Sequence, residues 1–457
     1  MRVVVGCKEN TTLMYTLTRW LLLPLFLVGL GSHLAAQTTN IDFTEFALDN
    51  GLKVILHQDN TTPIVAVSIM YEVGGKDSFQ DRTGFAHFFE HLLFEGSENL
   101  QRGQIDDYVE GAGGALNANT SPDRTYYYEI LPSNQLALGL WIESERLLHA
   151  KVQSVGVETQ REVVKEERRQ RYDNQPYGTL SMELHKRAFQ DHPYKDPLIG
   201  YMEDLTSAEE TDFKRFYETY YVPNNAILSI AGDLDIAETK ALVEKYFGDI
   251  PRGEEPPRVT VVEPPLGGEI RDTVFDQVPL PALVIGYRTV ARDNPDYYAI
   301  SMMNQVLSQG RSSRLNKALV DEKELAVQVG SFPSSSQDPG LAIAFALAPP
   351  GTEDLRPVEE AFQAEIDRLK NELISDREFQ KLRNQIEVSA VSGYGSVASI
   401  AESLAYNEMF LGDANLINTE TDRYLAVTKE DIRRVAREYY TDDNRVLLYW
   451  LPQPSSR

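Results

Sequence analysis

The feature that most constrains this chain is a pattern that occurs twice. Tyr220-Tyr221-Val222-Pro223-Asn224-Asn225 leads into an apolar run, Ala226 to Ala231, and Tyr439-Tyr440-Thr441-Asp442-Asp443-Asn444 leads into another, Val446 to Leu451. A helix start precedes each: Leu205-Thr206-Ser207-Ala208-Glu209 carries a capping-box pattern, and Val427-Thr428-Lys429-Glu430-Asp431 opens the other. Helix, tyrosine pair, polar turn and apolar strand in the same order predict a duplicated α+β domain. Two Pro/Gly-rich stretches, Pro251 to Pro257 and Pro264 to Gly268, bracket a strand-like piece, Val259 to Val262, and read as a linker. The expectation is two homologous domains, 37–250 and 269–457, each an antiparallel-rich sheet packed with helices, joined by a linker at 251–268.

Within the first half, Gly51 to Leu56 and Ile64 to Ile69 read as strands. The Gly-rich entry at Gly113-Gly114 followed by Ala115 to Thr120 and Tyr126 to Leu131 reads as a strand pair. Leu136 to Leu148 and Val157 to Tyr172 read as helices. The second half repeats strand, long helices and strand.

Residues 1–36 read as a secretory signal peptide rather than as part of the fold. Arg19 precedes an apolar run, Trp20 to Leu30, followed by Gly31-Ser32 and Leu34-Ala35-Ala36, and the run is short for a membrane span. Cleavage after Ala36 and a start at Met14 are the expectations. Export makes the protein periplasmic in a Gram-negative host and secreted otherwise, with no membrane attachment after cleavage. Removing Arg2, Lys8, Glu9 and Arg19 with this segment takes the formal charge from −25 to −27. That acidity argues against nucleic acid. The only cysteine, Cys7, goes with the segment, so stability rests on buried cores and not on disulfides.

The stretch that carries chemistry is His87-Phe88-Phe89-Glu90-His91. On a helix, residues four apart share a face, so both imidazoles can reach one ion while Glu90 points into the same space. Imidazole nitrogen suits Zn²⁺, and a glutamate that is not a ligand can take a proton from water acidified by the metal. The surrounding Phe85, Phe88, Phe89, Leu92, Leu93 and Phe94 bury this helix in any case. A lone histidine there would be a satisfied core residue; two at this spacing with an acid between them are harder to accommodate without a metal.

A catalytic zinc needs a third protein ligand and an open position. The candidates lie in Gln160 to Arg169, where Glu166 or Glu167 can reach the ion or can pair with Lys and Arg on a charged helix face. Spacing alone leaves the two open.

Taken together, the His87-x-x-Glu90-His91 motif, the acidic helix about 76 residues beyond it, the Asn117-Ala118 strand, His192-Pro193-Tyr194 and the duplicated halves resemble the pitrilysin and mitochondrial-processing-peptidase family of inverted-motif zinc metallopeptidases, in its short bacterial two-domain type. The resemblance covers nearly all of the chain after residue 36. It implies Glu167 as the third ligand, one Zn²⁺ per chain held by His87, His91 and Glu167, and Glu90 as general base. It also implies that substrate adds as a strand beside Asn117, Ala118 and Asn119. The family favours an acid seven residues before the distal ligand, where this chain has Gln160. Relatives complete the site with an Arg and a Tyr after a Ser-Arg-Leu segment. Here Ser313-Arg314-Leu315 is present, but Val320 and Val327 occupy those positions and cannot donate a hydrogen bond.

Short members pair into a four-domain clamshell, so the resemblance implies that this chain is half of a chamber, a homodimer or heterodimer with a related two-domain chain that supplies what the valines lack. The reading is an exported zinc metalloendopeptidase acting on peptides or unfolded segments. The alternative is a non-catalytic substrate-binding or scaffold subunit of the same fold.

Overall fold

The computed structural model describes residues 40–79 and 82–453. The signal-peptide reading of 1–36, including Cys7 and Met14, lies outside the described residues. No helix among the described residues is long and apolar enough to cross a membrane.

Two sheets account for the duplication. The first holds β1 (Thr44–Ala47), β2 (Lys53–Gln58), β3 (Ile64–Tyr71), β4 (Ala115–Thr120), β5 (Thr125–Pro132) and β6 (Ala226–Gly232), in the order β1-β2-β6-β3-β5-β4. The second holds β7 (Ile270–Asp276), β8 (Ala282–Arg288), β9 (Gln328–Pro333), β10 (Leu341–Leu347) and β11 (Arg445–Pro452), in the order β7-β11-β8-β10-β9. Leaving β1 aside, the two orders are the same. The strand after each tyrosine turn, β6 or β11, inserts parallel to the first strand of its half and antiparallel to the second. Such strands have neighbours on both edges and cover on both faces, and every residue of β6 is buried.

The polar turn is built alike in both halves. Asn225 donates through Nδ2 to the carbonyl of Tyr220 at 2.8 Å, and Asn444 donates to Tyr439 at 2.8 Å. Each asparagine also reaches across to a neighbouring segment, at Glu72 and Arg288 respectively. An amide side chain replaces backbone partners that a tight turn cannot offer.

Two local expectations need correction. The first-half capping box sits later than its Thr-Ser pattern: Thr206 and Ser207 close a short helix, Met202–Ser207, and the next, Glu210–Tyr220, is capped by Glu209 with Asp212. Arg161 explains the break, because its guanidinium donates to the carbonyls of Leu205, Thr206 and Ala208 and so satisfies the end of the short helix. Thr428 with Asp431 caps Lys429–Tyr439 as expected. Val259 to Val262 pairs with no strand; the prolines around it cannot donate to a ladder, and side chains tether the segment instead. Arg258 donates to the carbonyl of Glu72, and Glu263 accepts the backbone N–H groups of Gln190, Asp191 and His192.

Period-two alternation sorts each sheet into two faces. One face of each carries its own half's core: Val54, Leu56, Val67 and Ile69 with Phe88, Phe89 and Phe213 in the first, Leu283, Ile285 and Leu447 with Met302, Met303 and Phe362 in the second. The other face is covered by a helix from the opposite half. Leu180–Ala188 packs with Ala282, Val284, Leu448 and Trp450, while Val397–Leu411 covers Ile55, Ala66, Met70, Ile227 and Ala231. The halves therefore exchange helices.

Candidate metal centre

The motif helix spans Phe85–Leu92 and starts from Gly84, whose φ is +83°. A Cβ at Gly84 would stand 2.6 Å from the carbonyl oxygen of Ile199 and 2.7 Å from Cα of Gly200, so the chain needs glycine for conformation and for space. Phe85 and Phe88 pack on Phe213, with ring centroids 4.6 and 4.4 Å away, and Phe89 stacks on Phe216 at 5.3 Å. This aromatic bed fixes the helix on its buried side and turns His87 and His91 out along one face, 4.9 Å apart.

Glu167 comes from the helix Ser154–Arg168, which packs beside the motif helix. Its Oε2 lies 3.0 Å from Nε2 of His91 and 3.7 Å from Nε2 of His87. Glu166 points away and pairs with Arg169 and Gln170 at the surface. Among the described residues, His87, His91 and Glu167 are the one cluster of three such side chains able to hold a metal ion, with ligand atoms all within 4.8 Å of one another.

The donor set fits zinc. Tetrahedral bonds of 2.0–2.2 Å place ligand atoms about 3.4 Å apart, and the two distances to Glu167 bracket that value. Glu167 Oε2 is buried without a directed hydrogen bond despite its 3.0 Å approach to His91. Burial and the neighbouring His91 hold the His87 imidazole down to about 4, more than offsetting the pull of Glu167. It is thus neutral at pH 7, with a lone pair to give. At Glu167, burial works to raise the carboxyl, but His91, His87 and Arg171 outweigh it and keep it below the ordinary range.

Glu90 stands apart from the three. Its Oε2 accepts a hydrogen bond from Thr120 Oγ1 at 2.6 Å. Burial raises its carboxyl, opposed by that hydroxyl and by His91. A raised carboxylate that keeps one partner and adjoins a metal site is suited to taking a proton.

Thr120 ends β4, which pairs with β5 on one side and forms the edge of the sheet on the other. Along β4, Asn117 and Asn119 are exposed, while Leu116, Ala118 and Thr120 turn to the half-buried face. Asn117 accepts from the N–H of Ala118 at 2.9 Å, and Asn119 is held by Arg124, which pairs with Glu402 of the crossing helix at 2.9 Å.

Gln160 donates to Glu95 at 2.5 Å. Val320 packs against the second core, and Val327 is exposed at the entry to β9. Arg314 is engaged with Glu378 at 2.9 Å. Thr120 and Arg171, whose Nη1 lies 2.7 Å from Glu167 Oε1, are site neighbours that motif reading missed. Alternation along β4 was the available signal for Thr120.

Known proteins resemble the chain over nearly its whole length. Residues 53–201 match the family model described as insulinase (peptidase family M16), and 207–386 match that described as the peptidase M16 inactive domain. The zinc protease PqqE of Helicobacter pylori is 30% identical, over 93% of this chain and 96% of that protein. The mitochondrial-processing peptidase subunit beta of Lentinula edodes is 26% identical, over 90% and 91%. The crystal structure of a protease from Helicobacter pylori superposes with a TM-score of 0.86 at 29% identity, over 90% of this chain and all of that one.

Proposed function

Since the chain belongs to the insulinase family of zinc peptidases, peptidase family M16, we propose that it is an exported zinc metalloendopeptidase that cleaves peptides or unfolded segments. The observation that carries this reading is the convergence of His87, His91 and Glu167 beside a separate Glu90.

In this reading the two imidazoles and the Glu167 carboxylate hold one zinc ion. When bound, the ion supplies Lewis acidity and a water acidic enough to ionise near pH 7. Glu90 takes the water's proton and passes it to the leaving amine, and Thr120 keeps its carboxylate aimed. The free edge of β4 binds the extended substrate by backbone hydrogen bonds, with Asn117, Ala118 and Asn119 along its length. Val320 and Val327 offer no donor for the developing oxyanion. We assign that role to a second two-domain chain, with which this chain would enclose the site. The Lentinula edodes relative is by its name a subunit, which supports such a pairing.

A second reading is a substrate-binding or scaffold subunit without turnover; the two valines favour it. One comparison separates the readings: turnover of a quenched fluorescent, unstructured peptide by the zinc-loaded chain and by Glu90→Gln, with zinc content measured on both. With the second chain in place, as a homodimer or as an added related partner, cleavage by the wild type and not by the variant at equal zinc is the expected result. Bound zinc with no cleavage by either, even with a partner chain added, would favour the scaffold.

A further inference from the structure

We propose that Arg171 is a positioning residue for Glu167, held in place by an anchor on the second domain; this rests on the zinc reading above. The two oxygens of Glu167 are pulled in different directions. Oε2 turns to the histidines, and Oε1 meets Nη1 of Arg171 at 2.7 Å. Gln160, seven residues earlier on the same helix, is bound to Glu95 and does not engage Glu167. Arg171 is the partner of Oε1, and its side chain is 73% exposed. Exposed ion pairs of this kind add little stability. An effect on ligand orientation is what this one can supply.

The backbone around Arg171 is unusual. After Arg168 the helix widens into a π-turn over Arg169–Asp173, closed by the N–H of Asn174 on the carbonyl of Arg169 at 2.8 Å. Such turns are rare and recur at functional sites. Gly178 backs it closely, since a Cβ there would come within 2.3 Å of the Tyr172 carbonyl oxygen.

The neighbouring Tyr177 has φ +62°, a left-handed conformation that is strained for a bulky residue. Its hydroxyl donates to the carbonyl of Leu280 at 2.6 Å and accepts the Leu280 N–H at 3.3 Å, just ahead of β8. Its ring joins the cluster of Leu184, Ala282 and Val284. The strained residue is thus retained by bonds to the second half, and it closes the segment that carries Arg171. The geometry links the second domain, through Tyr177 and the π-turn, to one oxygen of the metal ligand.

The test is the zinc dissociation constant of the purified full chain, measured by competition with a chromogenic chelator. Losing an outer partner of a metal ligand typically costs 10–100-fold in affinity. Arg171→Met is expected to weaken binding by about that range, Arg171→Lys by less, and Tyr177→Phe by a few-fold in the same direction. Unchanged affinity in Arg171→Met overturns the positioning role, and unchanged affinity in Tyr177→Phe overturns the anchor. His91→Ala keeps the two readings apart. If the wild type binds zinc and His91→Ala does not, the zinc site stands whatever Arg171→Met shows. A wild type without affinity for zinc overturns both.

Discussion

Thr120 Oγ1 lies 2.6 Å from Glu90 Oε2, and this bond ties an edge strand to the acid of the motif, which stands apart from the His87, His91 and Glu167 cluster. The same strand end would therefore orient the general base and receive the substrate. Replacing Thr120 by Val frees the carboxylate to rotate. We expect kcat on an unstructured peptide to fall about tenfold with zinc content unchanged. Thr120→Ser should retain most of the rate. Steady-state kinetics with metal analysis checks both.

Gly84 begins the motif helix in a conformation that other residues adopt only under strain, against the backbone of Ile199 and Gly200. Gly84→Ala should destabilise the fold by about 1–3 kcal/mol. It should also weaken zinc binding, because both histidines ride on this helix. Denaturant unfolding and chelator competition measure the two effects separately.

Behind that helix Arg146 is buried between Glu129 and Glu143, 2.8 Å from the first, with its guanidinium over the rings of Phe94 and Tyr127. Burial and the neighbouring Glu143 push the Glu129 carboxyl up, against the pull of Arg146. Arg146→Met leaves two buried carboxyls without a cation and should cost about 3–5 kcal/mol. Glu143→Gln keeps one acid paired and should cost less. Urea midpoints of the two variants give the order.

A polar cluster joins the loop before β10 to the first half. Lys76 lies 2.7 Å from Asp338 and 3.0 Å from Asp123, and His192 lies 3.4 Å from Asp338. Burial works to raise the Asp338 carboxyl, but His192 and Lys76 outweigh it and hold it at about 2, below its ordinary 3.8. A depressed folded value means the stabilisation is complete above pH 3.8 and is lost as pH falls toward 2. The lost term is on the order of 2 kcal/mol. Asp77, which burial pushes up to about 7, carries the opposite sign and favours the folded state more as pH falls from 7 to 3.8. Stability measured from pH 5 to 2 should drop more steeply in the wild type than in Asp338→Asn.

Much of the fold was legible because it is written as repetition. The Tyr-Tyr turns marked equivalent strands in both halves, and the β-branched apolar run Ile64 to Ile69 marked a strand, which the structure buries on both faces. That His87 and His91 share one helix face beside Glu90 was readable because helical spacing is local. Glu167 was not separable from Glu166 by spacing, since the choice depends on which helix face packs against the motif helix. Val259 to Val262 misled because β-branched residues suggest a strand even where flanking prolines and the absence of a neighbour prevent one. The exchanged helices were invisible for a related reason: amphipathic sequence states that a face is buried, and says nothing of which half buries it.

That exchange bears on the order in which the protein can be made. The first sheet has all its strands once Gly232 is synthesised, yet Ile55, Ala66, Met70, Ile227 and Ala231 stay uncovered until Val397–Leu411 arrives, roughly 165 residues later. The N-terminal half therefore cannot finish before the C-terminal half, and an exported chain held up between them would present a sticky, incomplete sheet as the natural client of a holding chaperone.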